Sequence, residues 1–345
     1  MEFTHKPDKR RINVLGGGDI GHGLFDCIAS LENLFIAWRE FRRGKKARLD
    51  IQQFELNLED QLFLLHENLM GGSYIHNTYT PFYITDPKLR HIHKATVRDR
   101  VVHHALFRVL EPIFDKTFIH DSYSCRTGKG SHRAVRRLEQ FLSSTSQNNS
   151  RQVYALKCDI RKFFDSIDQR VLFDIIGATI KDKATQELVQ VILKSFSRTP
   201  GIGLPLGNVT SQLFANIYMN EFDQFVKHNL KIKQYLRYCD DFIVLGHNPE
   251  ELMRMAVTMD EFLKNHLRLS LHPNKIIIRK WSQGIDFLGY VVLPFHRVLR
   301  TRTKRRILRK VRVGITNQSL QSYLGILKHC SGNNIRKSIY LDNHV

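Results

Sequence analysis

The segment with the clearest chemical potential is Tyr238-Cys239-Asp240-Asp241, two adjacent acids set between apolar, β-rich runs that extend from Leu236 to Leu245. Neighbouring aspartates repel each other and disfavour strand pairing, so they belong at a hairpin turn, where a bound cation can offset the clustered charge. A plain solvated turn would carry the same pair. Asp159 weakens that bland reading, because it also ends an apolar strand, Val153-Tyr154-Ala155-Leu156-Lys157-Cys158-Asp159-Ile160. Two strand ends can bring three carboxylates to one sheet edge. The rest of the chain is basic, with 53 Lys and Arg against 33 Asp and Glu and a formal net charge of +20. An acidic spot on such a chain suits two-metal phosphoryl chemistry, in which one ion lowers the pKa of an attacking hydroxyl and the other shields a leaving pyrophosphate. The reaction suggested is nucleotidyl transfer with two Mg²⁺ ions, Mn²⁺ being the alternative.

These residues resemble the motifs of reverse transcriptases. Asp159-Ile160-Arg161-Lys162-Phe163-Phe164-Asp165-Ser166-Ile167 is similar to that family's first carboxylate motif, and Tyr238-Cys239-Asp240-Asp241 to its Y-x-D-D box. The resemblance implies that Asp159, Asp240 and Asp241 ligate the metals, with Ile160 contributing beside Asp159. It also implies that Phe164 blocks a ribose 2′-hydroxyl, so that deoxynucleotides (dNTPs) are the substrates; a core phenylalanine is the plainer alternative. Lys88-Leu89-Arg90 and Arg98-Asp99-Arg100 resemble the basic elements that grip the incoming triphosphate and the template, a task suited to Arg forks and Lys point charges. Ordinary surface charge would look the same. Tyr123-Ser124-Cys125-Arg126-Thr127-Gly128-Lys129-Gly130 resembles the template-contact segment, and Gly284-Ile285-Asp286-Phe287-Leu288-Gly289-Tyr290 the primer-grip hairpin. Leu271-His272-Pro273-Asn274-Lys275 resembles the segment whose lysine protonates the leaving pyrophosphate, which makes Lys275 the general-acid candidate.

One motif narrows the resemblance. Where most reverse transcriptases carry Q-G-x-x-x-S-P, this chain has Leu206-Gly207-Asn208-Val209-Thr210-Ser211-Gln212, a form similar to the enzymes of diversity-generating retroelements. In that group the loop lies against the nascent base pair and accompanies error-prone copying of template adenines. An aliphatic Leu206 cannot supply the hydrogen bonds of a Gln amide, so base-pair checking is expected to be looser. Leu206, Gly207, Ser211 and Gln212 are therefore substrate-side candidates. The resemblance implies a template RNA and its cDNA or primer strand as partners, together with an oligomeric accessory variability protein. Cys239 departs from the group, which usually has Met or Ala there; a cysteine is small and apolar enough for the same packing. Other bacterial reverse transcriptases, of phage-defence or unclassified lineages, remain an alternative, as does a non-catalytic RNA-binding scaffold on the same fold.

The elements that must position these residues alternate through the centre of the chain. Strands are expected at Gln152–Asp159, Gln234–Cys239, Phe242–Leu245, Leu267–Leu271, Lys275–Arg279 and Ile285–Val292. Helices are expected at about 98–114, 132–142, 169–180, 185–194, 208–228 and 249–265, preceded by helices at 30–46 and 58–69 and a strand pair around 79–93 that turns at Asp86-Pro87-Lys88. This pattern predicts an α+β, right-hand polymerase fold: fingers, a palm whose antiparallel sheet carries helices on one face, and a short helical thumb. The expected divisions are a basic flexible lead-in (1–27), N-terminal helices and fingers (28–150), palm (151–292) and thumb (293–345). Gly16-Gly17-Gly18-Asp19-Ile20-Gly21 lacks the strand and helix that a phosphate cradle needs. In the thumb, Arg302 precedes a stretch from Lys304 in which Lys304, Arg305, Arg309 and Arg312 alternate with Ile307, Leu308 and Val311, so one helix face can pack while the others meet phosphate.

Composition bounds the alternatives. At 42% hydrophobic the chain is globular, and no apolar run is long enough to span a membrane. Neither a leader peptide nor a membrane partner is expected, and the expected location is cytoplasmic. Five scattered cysteines without a C-x-x-C pair suggest neither disulfides nor a zinc site. Pairs such as His103-His104 lack partners at ligand spacing. Net positive charge of this size most often meets a polyanion, because neutralising phosphates releases condensed counterions.

Overall fold

The structure, a computed structural model, describes residues 23–85, 89–333 and 335. Four helices come first: α1 (Leu24–Ala29), α2 (Leu31–Arg42), α3 (Leu49–Leu56) and α4 (Leu58–Met70). Ser30 starts α2 by accepting a hydrogen bond from the Asn33 N–H at 3.2 Å. A hairpin of β1 (Thr80–Ile84) and β2 (Arg90–Lys94) leads into α5 (Val97–Asp115) and α6 (Ser131–Thr145). Then come β3 (Tyr154–Asp159), the single turn α7 (Phe163–Ser166), α8 (Gln169–Thr179), α9 (Lys183–Lys194) and α10 (Val209–Gln224). They are followed by β4 (Tyr235–Tyr238), β5 (Asp241–Gly246), α11 (Pro249–Leu267) and β6 (Ile277–Lys280). A second meander, β7 (Ile285–Phe287), β8 (Tyr290–Val292) and β9 (Arg297–Leu299), precedes α12 (Thr301–Val313) and α13 (Asn317–Leu327).

The central sheet is antiparallel, in the order β4-β5-β3-β6. Its strands are apolar on both faces, and alternate residues enter two different cores. Leu156, Cys158, Tyr235, Phe242 and Val244 join the core built with α10 and α11. Val153, Ala155, Leu236, Ile243 and Leu245 join a second core with Ala134, Val135, Leu138 and Leu142 of α6. The second core continues through Trp281 and the β7–β9 meander to Ile307 and Val311 of α12. Helices therefore cover both faces of the sheet, which corrects the expectation of a one-faced arrangement; continuous apolar strands have no solvated side to offer.

Two further differences concern boundaries. Helix α1 begins at Leu24, within the last four residues of the expected lead-in, and continues to Ala29; residues 1–22 and the Asp86-Pro87-Lys88 turn lie outside the described residues. Leu267–Leu271 is not a strand, because α11 runs to Leu267 and Arg268 ends it in a left-handed conformation, φ +49°. Leu271 keeps only an isolated bridge to Ile160. The hairpin β7–β8 does form, and Gly284 before it has φ +82° with Val291 Cγ1 only 2.5 Å from where a Cβ would stand.

Candidate active site

Strand pairing places the acids. Asp159 ends β3 and Asp241 begins β5 as direct cross-strand partners, a register that sets their Cα atoms about 4.5–5.5 Å apart. Asp241 also pairs with Tyr238 across the β4–β5 hairpin, so Cys239 and Asp240 form its two-residue turn. Cys239 turns the chain with φ +59°. The turn is pinned to the end of β3, where the Ile160 N–H donates to the Asp240 carbonyl at 3.2 Å. Beyond it, the Asp159 carbonyl accepts from His272 N–H at 2.8 Å and Arg161 N–H donates to the Ser270 carbonyl at 3.0 Å. That pairing brings in the single-turn 3₁₀ helix Pro273–Lys275, and Lys275 Nζ donates to Asp159 Oδ1 at 2.7 Å.

The electrostatics fit a cation site. The Asp240 carboxyl is pushed up to about 6 by burial and by the nearby charges of Asp241 and Asp159. Asp241 is also raised, first by burial, against the opposing pull of Lys157, whose Nζ lies 3.9 Å from Asp241 Oδ1. Clustered, partly desolvated carboxylates are a hard-oxygen donor set whose repulsion a divalent ion relieves. The backbone brings the three acids together, but among the described residues no three His, Cys, Asp or Glu side chains already converge as a ligand set. Asp159 is engaged by Lys275, so these carboxylates would have to turn to share an ion.

The other sequence candidates divide into two groups. Phe164 is half-buried on α7 and meets Phe163 edge-on at 5.3 Å. Its carbonyl accepts from Leu204 N–H at 2.8 Å, which brings the Leu206–Gln212 segment towards the first carboxylate motif. Leu206 and Gly207 then meet β2. His93 N–H donates to the Leu206 carbonyl at 3.0 Å, Asn208 Nδ2 donates to the His93 carbonyl at 3.3 Å, and a Cβ on Gly207 would stand 2.8 Å from Ile92 Cγ2. Ser211 is buried in the first turn of α10, while Gln212 is half-exposed. Arg90 is exposed on β2, and Lys88 lies outside the described residues. Arg98 is occupied internally: Nη1 donates to the Ile75 carbonyl at 3.1 Å and the guanidinium lies over the Tyr74 ring at 5.0 Å. Nothing in these contacts brings Arg98 to the acids.

The sequence reading passed over Arg237. It lies two residues before Cys239, fully buried, and its Nη1 donates to the Cys239 carbonyl at 3.0 Å. The available signal was a charge in the middle of the apolar run Tyr235-Leu236-Arg237-Tyr238, since a buried arginine needs an acid partner.

A two-faced antiparallel sheet with three aspartates at one end, a lysine on the first of them and a basic helical C-terminal region supplies the parts that a nucleotidyl-transferring polymerase uses. Comparison with known proteins gives the family. Residues 85–292, well over half of the chain, match the family model described as reverse transcriptase (RNA-dependent DNA polymerase), and the chain belongs to that family. Protein YkfC of Escherichia coli is 26% identical over 297 residues, spanning 74% of this chain and 76% of YkfC. The group II intron-encoded protein LtrA of Lactococcus lactis is 23% identical over 320 residues, covering 72% of this chain and 51% of LtrA. Among solved structures, telomerase from Candida albicans, determined with a fragment of telomeric RNA, superposes with a TM-score of 0.51 over 78% of this chain and 53% of that one. At 12% identity this shows a shared polymerase fold. The chain thus spans about half the length of LtrA and of the telomerase. Family membership implies the use of a divalent metal. Among the described residues no helix is long and apolar enough to cross a membrane.

Proposed function

We propose that this chain copies a template RNA into cDNA with dNTPs, and that it does so as the error-prone enzyme of a diversity-generating retroelement. The catalytic part rests on the in-register Asp159–Asp241 pair with Asp240 in the adjoining turn. Asp159, Asp240 and Asp241 would hold two Mg²⁺ ions, with the Ile160 backbone beside them. Bound there, the ions would acidify the primer 3′-hydroxyl and neutralise the departing pyrophosphate. The chain's own groups do the rest. Phe164 excludes a 2′-hydroxyl, and Lys275 supplies a proton from Nζ to the leaving oxygen. One of the three ammonium hydrogens is donated to Asp159 Oδ1 at 2.7 Å, which leaves two others for the leaving oxygen. Lys88 and Arg90 are assigned to the triphosphate or template, and Arg98 to holding the Tyr74–Ile75 segment that precedes them in sequence.

The retroelement part is supported by Leu206-Gly207-Asn208-Val209-Thr210-Ser211-Gln212. A Leu at the loop position, pinned through its carbonyl to β2, offers the nascent base pair an aliphatic surface with no hydrogen-bonding side chain. An accessory variability protein would be the macromolecular partner. A second reading, a reverse transcriptase of an intron-like or other bacterial lineage, is favoured by the likeness to LtrA and YkfC. Primer extension on an RNA template decides the first part: Asp240→Ala with Asp241→Ala abolishes synthesis, and retained synthesis refutes the assignment. Sequencing the cDNA decides the second. Errors concentrated opposite template adenines support the retroelement reading, and an even spectrum supports the other lineage.

A further inference from the structure

Arg237 lies in the strand that leads into Asp240, and its side chain runs behind the turn. Both Arg237 and Asp223 of α10 are fully buried. Nε and Nη2 of Arg237 fork onto Asp223 Oδ1 and Oδ2 at 2.8 and 2.6 Å, and Tyr235 Oη donates to Asp223 Oδ1 at 2.6 Å. That fork neutralises the charge. The remaining donor capacity is aimed at two other places: Nη1 donates to the Cys239 carbonyl at 3.0 Å, and Nη2 to Ser122 Oγ at 3.2 Å. Asn216 of α10 completes the bridge, with Oδ1 3.4 Å from Nη1 and Nδ2 donating to the Ser124 carbonyl at 2.9 Å. The backbone follows the same seam, since Arg237 N–H donates to the Asp121 carbonyl and the Arg237 carbonyl accepts from Tyr123 N–H, both at 2.9 Å.

Three parts therefore meet on one guanidinium: the catalytic turn, Ser122, which directly precedes the Tyr123–Gly130 segment that resembles a template contact, and the helix that opens with the Leu206–Gln212 motif. Cys239 is held with φ +59°, a conformation disfavoured for any residue bearing a Cβ. A hydrogen bond to its carbonyl from a buried, immobile donor restrains that shape. We propose that Arg237 is a positioning residue, which fixes the Cys239–Asp240 turn against the Ser122–Ser124 segment and so couples the placement of the metal-binding acids to the template side of the site. The inference rests on the catalytic reading of Asp159, Asp240 and Asp241. A purely stabilising role would require less, because packed apolar side chains can replace a buried ion pair without loss of stability.

Replacing the whole polar unit separates the two roles. The variant Arg237→Met, Asp223→Leu, Tyr235→Phe removes both charges and the hydroxyl together, while Arg237→Lys keeps the charge and loses the fork. The measurements are melting temperature, kcat and dNTP KM on a poly(rA)–oligo(dT) template–primer, and Mn²⁺ binding to the protein alone by electron paramagnetic resonance. The triple variant is expected to fold, with kcat and Mn²⁺ affinity each lowered about 10–100-fold, as for lost outer-shell support of metal ligands, and dNTP KM nearly unchanged. Arg237→Lys is expected to shift the same two quantities in the same direction. Wild-type kcat and Mn²⁺ affinity in either folded variant overturn the proposal. If the triple variant does not fold, Arg237→Lys decides alone: reduced kcat and Mn²⁺ binding at a wild-type melting temperature support positioning, and losses that only track melting temperature refute it. Asp240→Ala with Asp241→Ala runs alongside, so that failure of the catalytic reading shows itself separately as persistent synthesis in that control.

Discussion

Gly207→Ala probes how firmly the loop before α10 is seated on β2. Gly207 has φ +112°, and an added Cβ would lie 2.8 Å from Ile92 Cγ2. The backbone conformation costs a residue with a Cβ about 1–2 kcal/mol. The contact adds about 1 kcal/mol, at the lower end of overpacking penalties, because Ile92 is only half-buried and can give a little. The total is about 2–3 kcal/mol. With an unfolding entropy of ~2.1 cal/mol/K per residue, a chain of 345 residues loses about 3–4 °C in melting temperature. The two parts separate in a double-mutant cycle with Ile92→Ala, which removes Cγ2 and leaves the dihedral problem untouched. Coupling of about 1 kcal/mol in the favourable direction is expected, within the range seen for residues in contact. The functional consequence is tied to the same geometry: a displaced loop moves Leu206, so the error spectrum of Gly207→Ala cDNA differs from wild type and returns towards it in the double variant. An unchanged melting temperature together with an unchanged error spectrum would refute the claim that β2 fixes this loop. So would a cycle with no coupling.

Phe164→Val opens the space assigned to the 2′-hydroxyl, and the ratio of kcat/KM for dNTP over ribonucleotide should fall about 10–100-fold; an unchanged ratio returns Phe164 to a packing role. Lys275→Met removes the only hydrogen-bonded cation on Asp159 that the described residues show and the proposed proton donor with it. Its kcat is expected to drop about 10²–10⁴-fold with little change in dNTP KM, and a flattened pH–rate profile would accompany the loss. Arg305 and Arg309 are exposed on α12 while Ile307 and Val311 are buried. Arg305→Gln with Arg309→Gln should reduce the slope of log affinity against log salt by about 2 for a template–primer duplex, with unchanged melting temperature; an unaltered slope would remove α12 from the nucleic-acid track.

What could be read from sequence, and what could not, follows the range of the interactions involved. The placement of the three acids at one sheet edge was legible because each borders an apolar run, Asp159 and Asp240 following one and Asp241 preceding one, and local pattern suffices for that. The two-faced burial of the sheet was legible in principle, since Phe242-Ile243-Val244-Leu245 and Val153 to Cys158 are nearly continuous in apolar residues, the signature of strands covered on both sides. α3 escaped because only Ile51 within it is buried, leaving no amphipathic period to detect. The contacts of Arg98 were out of reach for a different reason: sequence shows a cation beside other cations, while its partners are the Ile75 carbonyl and the Tyr74 ring, more than twenty positions earlier. The Arg237–Asp223 pair is long-range in the same sense, joining a strand to a helix. No local pattern announces which of the acids in the chain will neutralise a buried arginine.

Net charge alone cannot place a nucleic acid relative to three carboxylates. Exposed cations separated by more than about 8 Å at physiological ionic strength are largely screened from one another, so the arginines of α12 supply affinity along the helix without fixing register. Register needs a structured connection, and one is present. Lys157, on the strand that ends in Asp159, lies 3.9 Å from Asp241 Oδ1 and donates to the Asp286 carbonyl of β7 at 3.2 Å. The carboxylate of the same Asp286 accepts from Arg300 Nε at 2.7 Å, and Arg300 is the residue that caps the start of α12. Arg300 N–H also donates to the Gly289 carbonyl at 2.9 Å, so the helix is anchored to the β7–β8 turn by backbone as well as side chain. This chain of contacts links the acids to the basic helix through the hairpin that resembles a primer grip. Asp286→Asn keeps the shape of the link and removes its charge. It should therefore leave binding affinity nearly intact while lowering kcat, the opposite of the outcome for the α12 arginines. Equal losses of affinity in both would mean that Asp286 merely tunes local charge.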